Sequence, residues 1–201
     1  MKPKETMGSY RSVIDEITPS VPTAWSAQKI LTHHRLQSRV YLKNLLNNEP
    51  VKRVQKFIKQ FNKELEILVL KTTARTAQDA ANSLKCEVGA IVKSLLFRTD
   101  GSFLICLIAG DKRCSLNKLK KVLKKKDVSM ANAEEVKANT GFSIGGVSPL
   151  AHIKKLDILI DISLKRFEYV FAAAGHPNCV FKISCEQLIK ITNGFEKEIS
   201  E

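Results

Sequence analysis

The chain has 201 residues, 44% of them hydrophobic, with 33 lysines and arginines against 20 aspartates and glutamates, a formal net charge of +13. That length suits one domain of ordinary size with an appendage, and no apolar run approaches the roughly 20 residues of a membrane span. The first ten residues lack the hydrophobic stretch of a signal peptide, and the five cysteines (Cys86, Cys106, Cys114, Cys179, Cys185) contain no CxxC pair, so neither a disulfide framework nor a zinc site is supported.

A reducing cytoplasm is the expected location. The charge points to a polyanionic partner, with nucleic acid ahead of an anionic membrane, because no basic amphipathic anchor stands out.

Residues 1–49 differ from the rest. Pro3, Pro19, Pro22 and Pro50 punctuate a polar arm, and a loose apolar pattern from Ala27 to Leu46 predicts one helix. Trp25 and the pair His33-His34 lie here. The pair has no third ligand nearby and reads as a surface feature. The expected organisation is an N-terminal extension over 1–49 and a folded domain over 50–201.

Val51, Val54, Phe57, Ile58 and Phe61 follow helical spacing, with lysines outside. Leu65–Leu70 reads as a strand. Thr76-Ala-Gln-Asp79 is a capping box for a helix to Leu84. Ala90–Phe97 and Phe103–Ala109 are rich in β-formers, and Asp100-Gly101 joins them as a hairpin. Lys93 interrupts the first arm. A lysine there either reaches a cleft or snorkels outward from the sheet.

Asp111–Asp127 is the basic segment. Leu116, Leu119, Val122 and Leu123 form one helical face, and Lys118, Lys120, Lys121, Lys124 and Lys125 crowd the others. The segment is either a solvated face or a surface that contacts phosphates. Asn132-Ala-Glu-Glu135 caps a short helix that stops at Gly141.

Gly141-Phe-Ser-Ile-Gly-Gly-Val-Ser-Pro149 follows, with three glycines and one proline in nine residues. It is a tight structural turn, or a loop whose backbone N–H groups face an anion or a carbonyl oxygen. Leu156–Asp161 and Tyr169–Ala174 read as strands. Asp157 and Asp161 share a strand face at about 13 Å, too far apart to act on one bond, so a structural role is expected. Gly175-His-Pro177 is a turn before the strand Cys179–Ile183. His176 there is an incidental loop residue, or it positions a hydroxyl or polarises a carbonyl. Ser184-Cys-Glu-Gln187 caps a last helix, Gly194 ends it, and a polar tail is expected beyond.

Certain motifs occur in order: Ala77-Gln-Asp-Ala-Ala81, Gly89-Ala-Ile-Val-Lys-Ser-Leu-Leu-Phe97, Ala109-Gly-Asp111, Thr140-Gly-Phe-Ser-Ile-Gly-Gly-Val-Ser-Pro-Leu150 and Ala174-Gly-His-Pro177. From about Val51 to Gly194 the chain resembles the YbaK/ProX type of aminoacyl-tRNA deacylase, the domain also inserted in many bacterial prolyl-tRNA synthetases for editing. The resemblance implies a mixed α/β fold, with a curled, largely antiparallel sheet around a pocket and helices outside. It implies hydrolysis of the ester that joins a wrong amino acid to the terminal adenosine of tRNA, without metal or other cofactor. Lys93, Gly145 and His176 match the family's functional positions. Ser94, Gly146, Val147, Ser148, Pro149 and Gly175 are then expected to bind substrate.

The Gly-His-Pro sequence differs from the lysine and arginine of the cysteine-editing branch, so alanine or another small residue is the expected substrate. Ser94 stands where free-standing alanine editors tend to carry asparagine, which leaves serine and threonine open. The five lysines named above would contact the acceptor-stem backbone. Implied partners are mischarged tRNA and an aminoacyl-tRNA synthetase, and a monomer is expected. The alternatives are a catalytically silent tRNA- or synthetase-binding module of the same fold, and regulation through residues 1–49.

Overall fold

The computed structural model describes residues 40–41, 43–70 and 76–201. Trp25, His33-His34 and most of the helix expected over Ala27–Leu46 lie outside the described residues. Residues 45–201 form one compact unit.

Helix α1 spans Glu49–Phe61, with a proline in its first turn and Val51, Val54 and Ile58 fully buried. Proline suits that position because its missing N–H has no intrahelical partner there. Strand β1 is Ile67–Val69, shorter than the apolar run around it. Helix α2, Ala77–Leu84, opens with the capping box the sequence predicts: Thr76 Oγ1 accepts from Asp79 N–H, and Asp79 accepts from Thr76 N–H, both at 3.1 Å.

The hairpin is present as β2, Ile91–Thr99, and β3, Ser102–Ala109, turned by Asp100 and Gly101. Helix α3 is Leu116–Leu123, strand β4 is Val128–Met130 and helix α4 is Ala133–Thr140. Asn132 caps α4, and Gly141 ends it in the left-handed region at φ 75°. Strands β5 (Asp157–Asp161), β6 (Tyr169–His176) and β7 (Cys179–Ser184) follow, then α5 (Cys185–Thr192) and β8 (Phe195–Lys197).

The strands join in one mixed sheet in the order β1-β7-β6-β2-β3-β5-β8, with β4 also paired to β2. The β1/β7, β7/β6, β2/β3 and β2/β4 pairs are antiparallel. The β6/β2, β3/β5 and β5/β8 pairs are parallel. The central strands β2 and β6 are far apart in sequence, and their parallel pairing brings the lysine strand beside the strand that ends at His176.

Two apolar clusters flank the middle of β2. Ile91 packs with Leu70, Ala80, Ala81 and Val180 beneath α2. Leu95 and Phe97 pack with Leu119, Val122 and Leu123 of α3 and with Cys106 and Ile108 of β3. Side chains alternate along a strand, so Ile91, Lys93, Leu95 and Phe97 share one face. Lys93 is the polar residue left between the two clusters.

The segment after Gly194 is not a simple polar tail. It forms β8 on the sheet edge and ends against Asp161, which is fully buried. The Asp161 carboxylate accepts from the N–H groups of Ser163, Ile199 and Ser200 and from the Ser200 hydroxyl, at 2.7–3.0 Å. Its role is structural, as the strand geometry suggests. Asp157 is exposed.

Candidate active site

A pocket of about 350 Å³ opens over β2 and β6. Its floor is apolar, with Ile91, Leu95, Phe171, Ala173 and Val180 among the lining residues, and α2 contributes Ala77 and Ala80. Lys93, Ser94, Gly145, Val147 and Pro177 also line it. Met130 and Ile144 line it while remaining 59% and 63% exposed, which puts them at its rim.

The Lys93 ammonium donates to the carbonyl of Lys112, in the loop between β3 and α3. Burial lowers its pKa from the ordinary lysine value. The Asp111 carboxylate partly offsets that effect, and Arg113 adds to it. The loop that offers this carbonyl is itself fixed. Asp111 accepts two hydrogen bonds from Arg166, at 2.7 and 3.0 Å. These bonds hold the Asp111 carboxyl below its usual range, and the Arg166 guanidinium lies 4.9 Å over the Phe167 ring. Ser94 contributes a different feature, because its hydroxyl is buried with no hydrogen-bond partner among the described residues.

The 141–149 loop combines both of its sequence readings. It is a tight turn, closed by a Gly146 N–H to Ser143 carbonyl bond of 3.0 Å, and it walls the pocket through Ile144, Gly145 and Val147. Gly145 has φ 86°, in the region that glycine adopts without a Cβ penalty. Among the described residues, the N–H groups of Gly145 and Val147 find no acceptor. Ser148 is fully buried, and Pro149 and Leu150 are buried behind it. The Ser148 Oγ accepts from Leu150 N–H at 3.4 Å. Thus Ser148 and Pro149 support the loop rather than line the pocket.

His176 is half-buried and lies outside the pocket lining. Its Nδ1 accepts from Asn178 N–H at 3.1 Å, so the neutral ring carries its proton on Nε2. Burial lowers its pKa from the ordinary histidine value. Its backbone packs against Gly146, where a Cβ would stand 2.9 Å from both His176 N and Cα. Gly175, at φ 88°, backs onto Pro50 at the start of α1. The structure thus brings Lys93, Ser94, Gly145 and Val147 to one pocket, with His176 immediately behind the loop.

The basic helix is a separate feature, and none of its side chains lines this pocket. Lys118 donates to Glu198 at 2.6 Å and to the Ser200 carbonyl at 2.8 Å. Lys125 stands 3.6 Å from Asp100. Lys120 is half-buried, and Lys121 and Lys124 are exposed. These three form no ion pair among the described residues.

Sequence reading missed two parts of the site. Arg53 of α1 reaches the glycine loop from 98 and 87 residues away. The half-buried His152 donates from Nε2 to the Ser148 carbonyl at 2.8 Å. Neither residue belongs to a local motif, and Arg53 reads as one more solvated cation on a basic helix.

A domain model described as "Aminoacyl-tRNA editing domain" matches residues 71–191. A proline–tRNA ligase of Kosmotoga olearia is 41% identical over 106 residues, which is 53% of this chain and 18% of the ligase. A protein of Enterococcus faecalis named "Putative Cys-tRNA(Pro)/Cys-tRNA(Cys) deacylase EbsC" is 28% identical over 128 residues, covering 62% of this chain and 77% of that protein. Among solved structures, a "putative trans-editing enzyme for prolyl tRNA synthetase" superposes with a TM-score of 0.73 at 32% identity, over 77% of this chain and 98% of the other. With the mixed sheet, the lysine strand and the glycine loop in place, the chain belongs to the aminoacyl-tRNA editing domain family.

Proposed function

We propose that the chain is a trans-editing hydrolase that cleaves the ester between a small, wrongly attached amino acid and the terminal adenosine of tRNA. Alanine, serine and threonine are the favoured amino acids, ahead of cysteine. One observation carries the reading. Two backbone donors that find no acceptor among the described residues, the N–H groups of Gly145 and Val147, border the same small pocket as Lys93.

An aminoacyl ester is already activated, so a covalent nucleophile is unnecessary. Water adds to the ester carbonyl carbon, the carbonyl oxygen gains negative charge, and the carbon–ribose oxygen bond then breaks. The ribose oxygen takes a proton, and free amino acid and tRNA leave. Donors fixed before the reaction stabilise the developing oxyanion without reorganising. In this reading Gly145 and Val147 supply those donors. The Lys93 ammonium exchanges the Lys112 carbonyl for the ester oxygen or a phosphate oxygen of the terminal nucleotide. His176, with its proton on Nε2, orients the ribose hydroxyl or the attacking water.

The pocket supports a small side chain. Ala77, Ala80, Ile91 and Val180 leave an apolar lining, and Ser94 borders it with a hydroxyl that is buried and finds no hydrogen-bond partner among the described residues. The E. faecalis relative is named for cysteinyl esters, so cysteinyl-tRNA belongs in the test.

The test is a deacylation panel with alanyl-, seryl-, threonyl- and cysteinyl-tRNA, including each amino acid mischarged on proline tRNA, with Lys93→Ala alongside. The expected result is selective hydrolysis that disappears in the variant. Hydrolysis of none of these esters, with tRNA still bound, would overturn the enzyme reading in favour of a silent binding module.

A further inference from the structure

The glycine loop is held in place from outside. Arg53, on the second turn of α1, donates from Nε to the Ala151 carbonyl at 2.7 Å and from Nη2 to the Thr140 carbonyl at 3.1 Å. Those carbonyls stand at the two ends of the loop that contains Gly145. The guanidinium also lies 4.6 Å over the ring of Phe142, which is fully buried.

The contacts continue inward. Phe142 meets the His152 ring edge-on, with centroids 6.1 Å apart and planes at 76°. His152 in turn donates to the Ser148 carbonyl, one residue after Val147. Ala151 holds φ 59°, a left-handed conformation that a non-glycine residue keeps only when its surroundings impose it. Its carbonyl is the one that Arg53 Nε fixes. Gly141 leaves room for the same guanidinium, since a Cβ there would lie 2.8 Å from Arg53 Nη2.

We propose that Arg53 is the positioning residue of this site: by bridging the Thr140 and Ala151 carbonyls over Phe142, it sets where the Gly145 and Val147 N–H groups stand. Its consequence for rate rests on the deacylase reading, while its consequence for the loop does not. The planar fork is the point of the design. It reaches two carbonyls and a ring face at once, and a lysine, a point charge on a flexible stem, meets only one of them. Among the described residues Arg53 forms no hydrogen bond with a residue that lines the pocket, so it acts on donors and not on substrate.

The experiment compares the full chain with Arg53→Gln, Arg53→Lys and Arg53→Ala. Circular dichroism establishes that each is folded. Amide hydrogen exchange then reads residues 141–151, and single-turnover deacylation reads the ester that the wild type cleaves. The expected result is faster exchange confined to this loop. It is accompanied by a fall in kcat of about 10²-fold, as for a displacement of about 1 Å at a reacting centre, with KM changed far less. Arg53→Lys keeps the charge and is expected to be impaired as well, and added guanidinium is expected to restore part of the rate to Arg53→Ala.

Unchanged exchange over 141–151, or wild-type kcat in folded Arg53→Gln, would overturn the proposal. A lower melting temperature with intact kcat would reduce Arg53 to a structural role and overturn it equally. Should the wild type cleave no ester, the deacylase reading falls and the exchange measurement alone decides: faster exchange confined to the loop sustains the positioning role, and unchanged exchange removes it. Should Arg53→Gln fail to fold, Arg53→Lys supplies the same decision.

Discussion

Gly146 lies directly on the backbone of His176. A Cβ at position 146 would stand 2.9 Å from both the N and Cα of His176, closer than unstrained packing allows. The contact couples the glycine loop to the β6–β7 turn, which are separate motifs in sequence. Gly146→Ala must therefore push one away from the other. Overpacking of this kind costs about 1–3 kcal/mol, and it displaces the donors that flank position 146. The expected outcome is a lowered melting temperature and a loss in kcat/KM of about 10²-fold. Melting curves and deacylation kinetics on the purified variant check both.

Lys93 is expected to leave a mark on the pH profile. Its pKa lies below the ordinary 10.5, chiefly through burial. If the ammonium form acts on the ester, kcat/KM declines on an alkaline limb centred below 10.5. Lys93→Ala should lack that limb and lose about 10²–10³ in rate. The fold disfavours the protonated lysine. That cost is fully present below the folded pKa and fades as pH rises toward the unfolded value. The measurement is a pH–rate profile of both proteins after subtraction of spontaneous ester hydrolysis. An alkaline limb that persists in Lys93→Ala would belong to another group.

Asp161 predicts an acid limb in stability. Burial pushes its carboxyl up, but hydrogen bonds from Ser163, Ile199 and Ser200 outweigh that and hold it below the ordinary aspartate value of 3.8. A carboxylate with a depressed folded pKa contributes stability that is complete above its unfolded pKa and is lost as pH falls through the folded one. Asp161→Asn should therefore cost on the order of 3 kcal/mol at neutral pH, since charged hydrogen bonds are worth about 1.5–3 kcal/mol. The deficit should shrink as pH falls below 4. Urea unfolding at pH 7 and at pH 3 tests the sign directly.

The elements that sequence reading found are those with local signals. The Thr76 and Asn132 caps, the Asp100-Gly101 turn and the Gly141 stop all act within a few residues, and all are where the pattern puts them. Strands β4 and β8 have no such signal. Each has three residues and exists because a longer strand offers an edge, Phe97–Thr99 for one and Leu159–Asp161 for the other. In the sequence Lys93 is ambiguous between cleft and solvent, because strand alternation does not say what covers a face. The gap between the α2 and α3 clusters decides it. Arg53 carries no sequence signal for a related reason: its partners follow 87 and 98 residues later, and only the assembled fold makes them neighbours.

The lysines of α3 separate into two groups. Lys118 is engaged with Glu198 and the Ser200 carbonyl, so Lys118→Gln should loosen the C-terminal segment and leave the salt dependence of tRNA binding unchanged. Lys120, Lys121 and Lys124 have no such ties among the described residues. Changing all three to glutamine should weaken tRNA binding. It should also flatten the plot of log K against log salt by about 0.7–0.9 per lost phosphate contact. Binding titrations at several salt concentrations distinguish the groups, and an unchanged slope in the triple variant would leave α3 as a solvated face.

Ser94 offers the sharpest view of substrate choice. Its hydroxyl is buried and without a hydrogen-bond partner among the described residues, an arrangement that costs roughly 1–3 kcal/mol. Ser94→Ala should then raise the melting temperature. If the hydroxyl instead pairs with a polar amino-acid side chain, the same substitution should lower the rate with seryl-tRNA relative to alanyl-tRNA. The size of that change is informative. An apolar pocket discriminates against an added hydroxyl by only about 10², whereas a site that hydrogen-bonds the hydroxyl discriminates by about 10⁴ or more. Rates with both esters, for both proteins, separate the cases. A stabilised variant with a seryl/alanyl ratio lowered at least about tenfold would make Ser94 a reader of the side chain. A stabilised variant with the ratio unchanged would leave recognition to the size of the Ala77, Ala80 and Val180 lining.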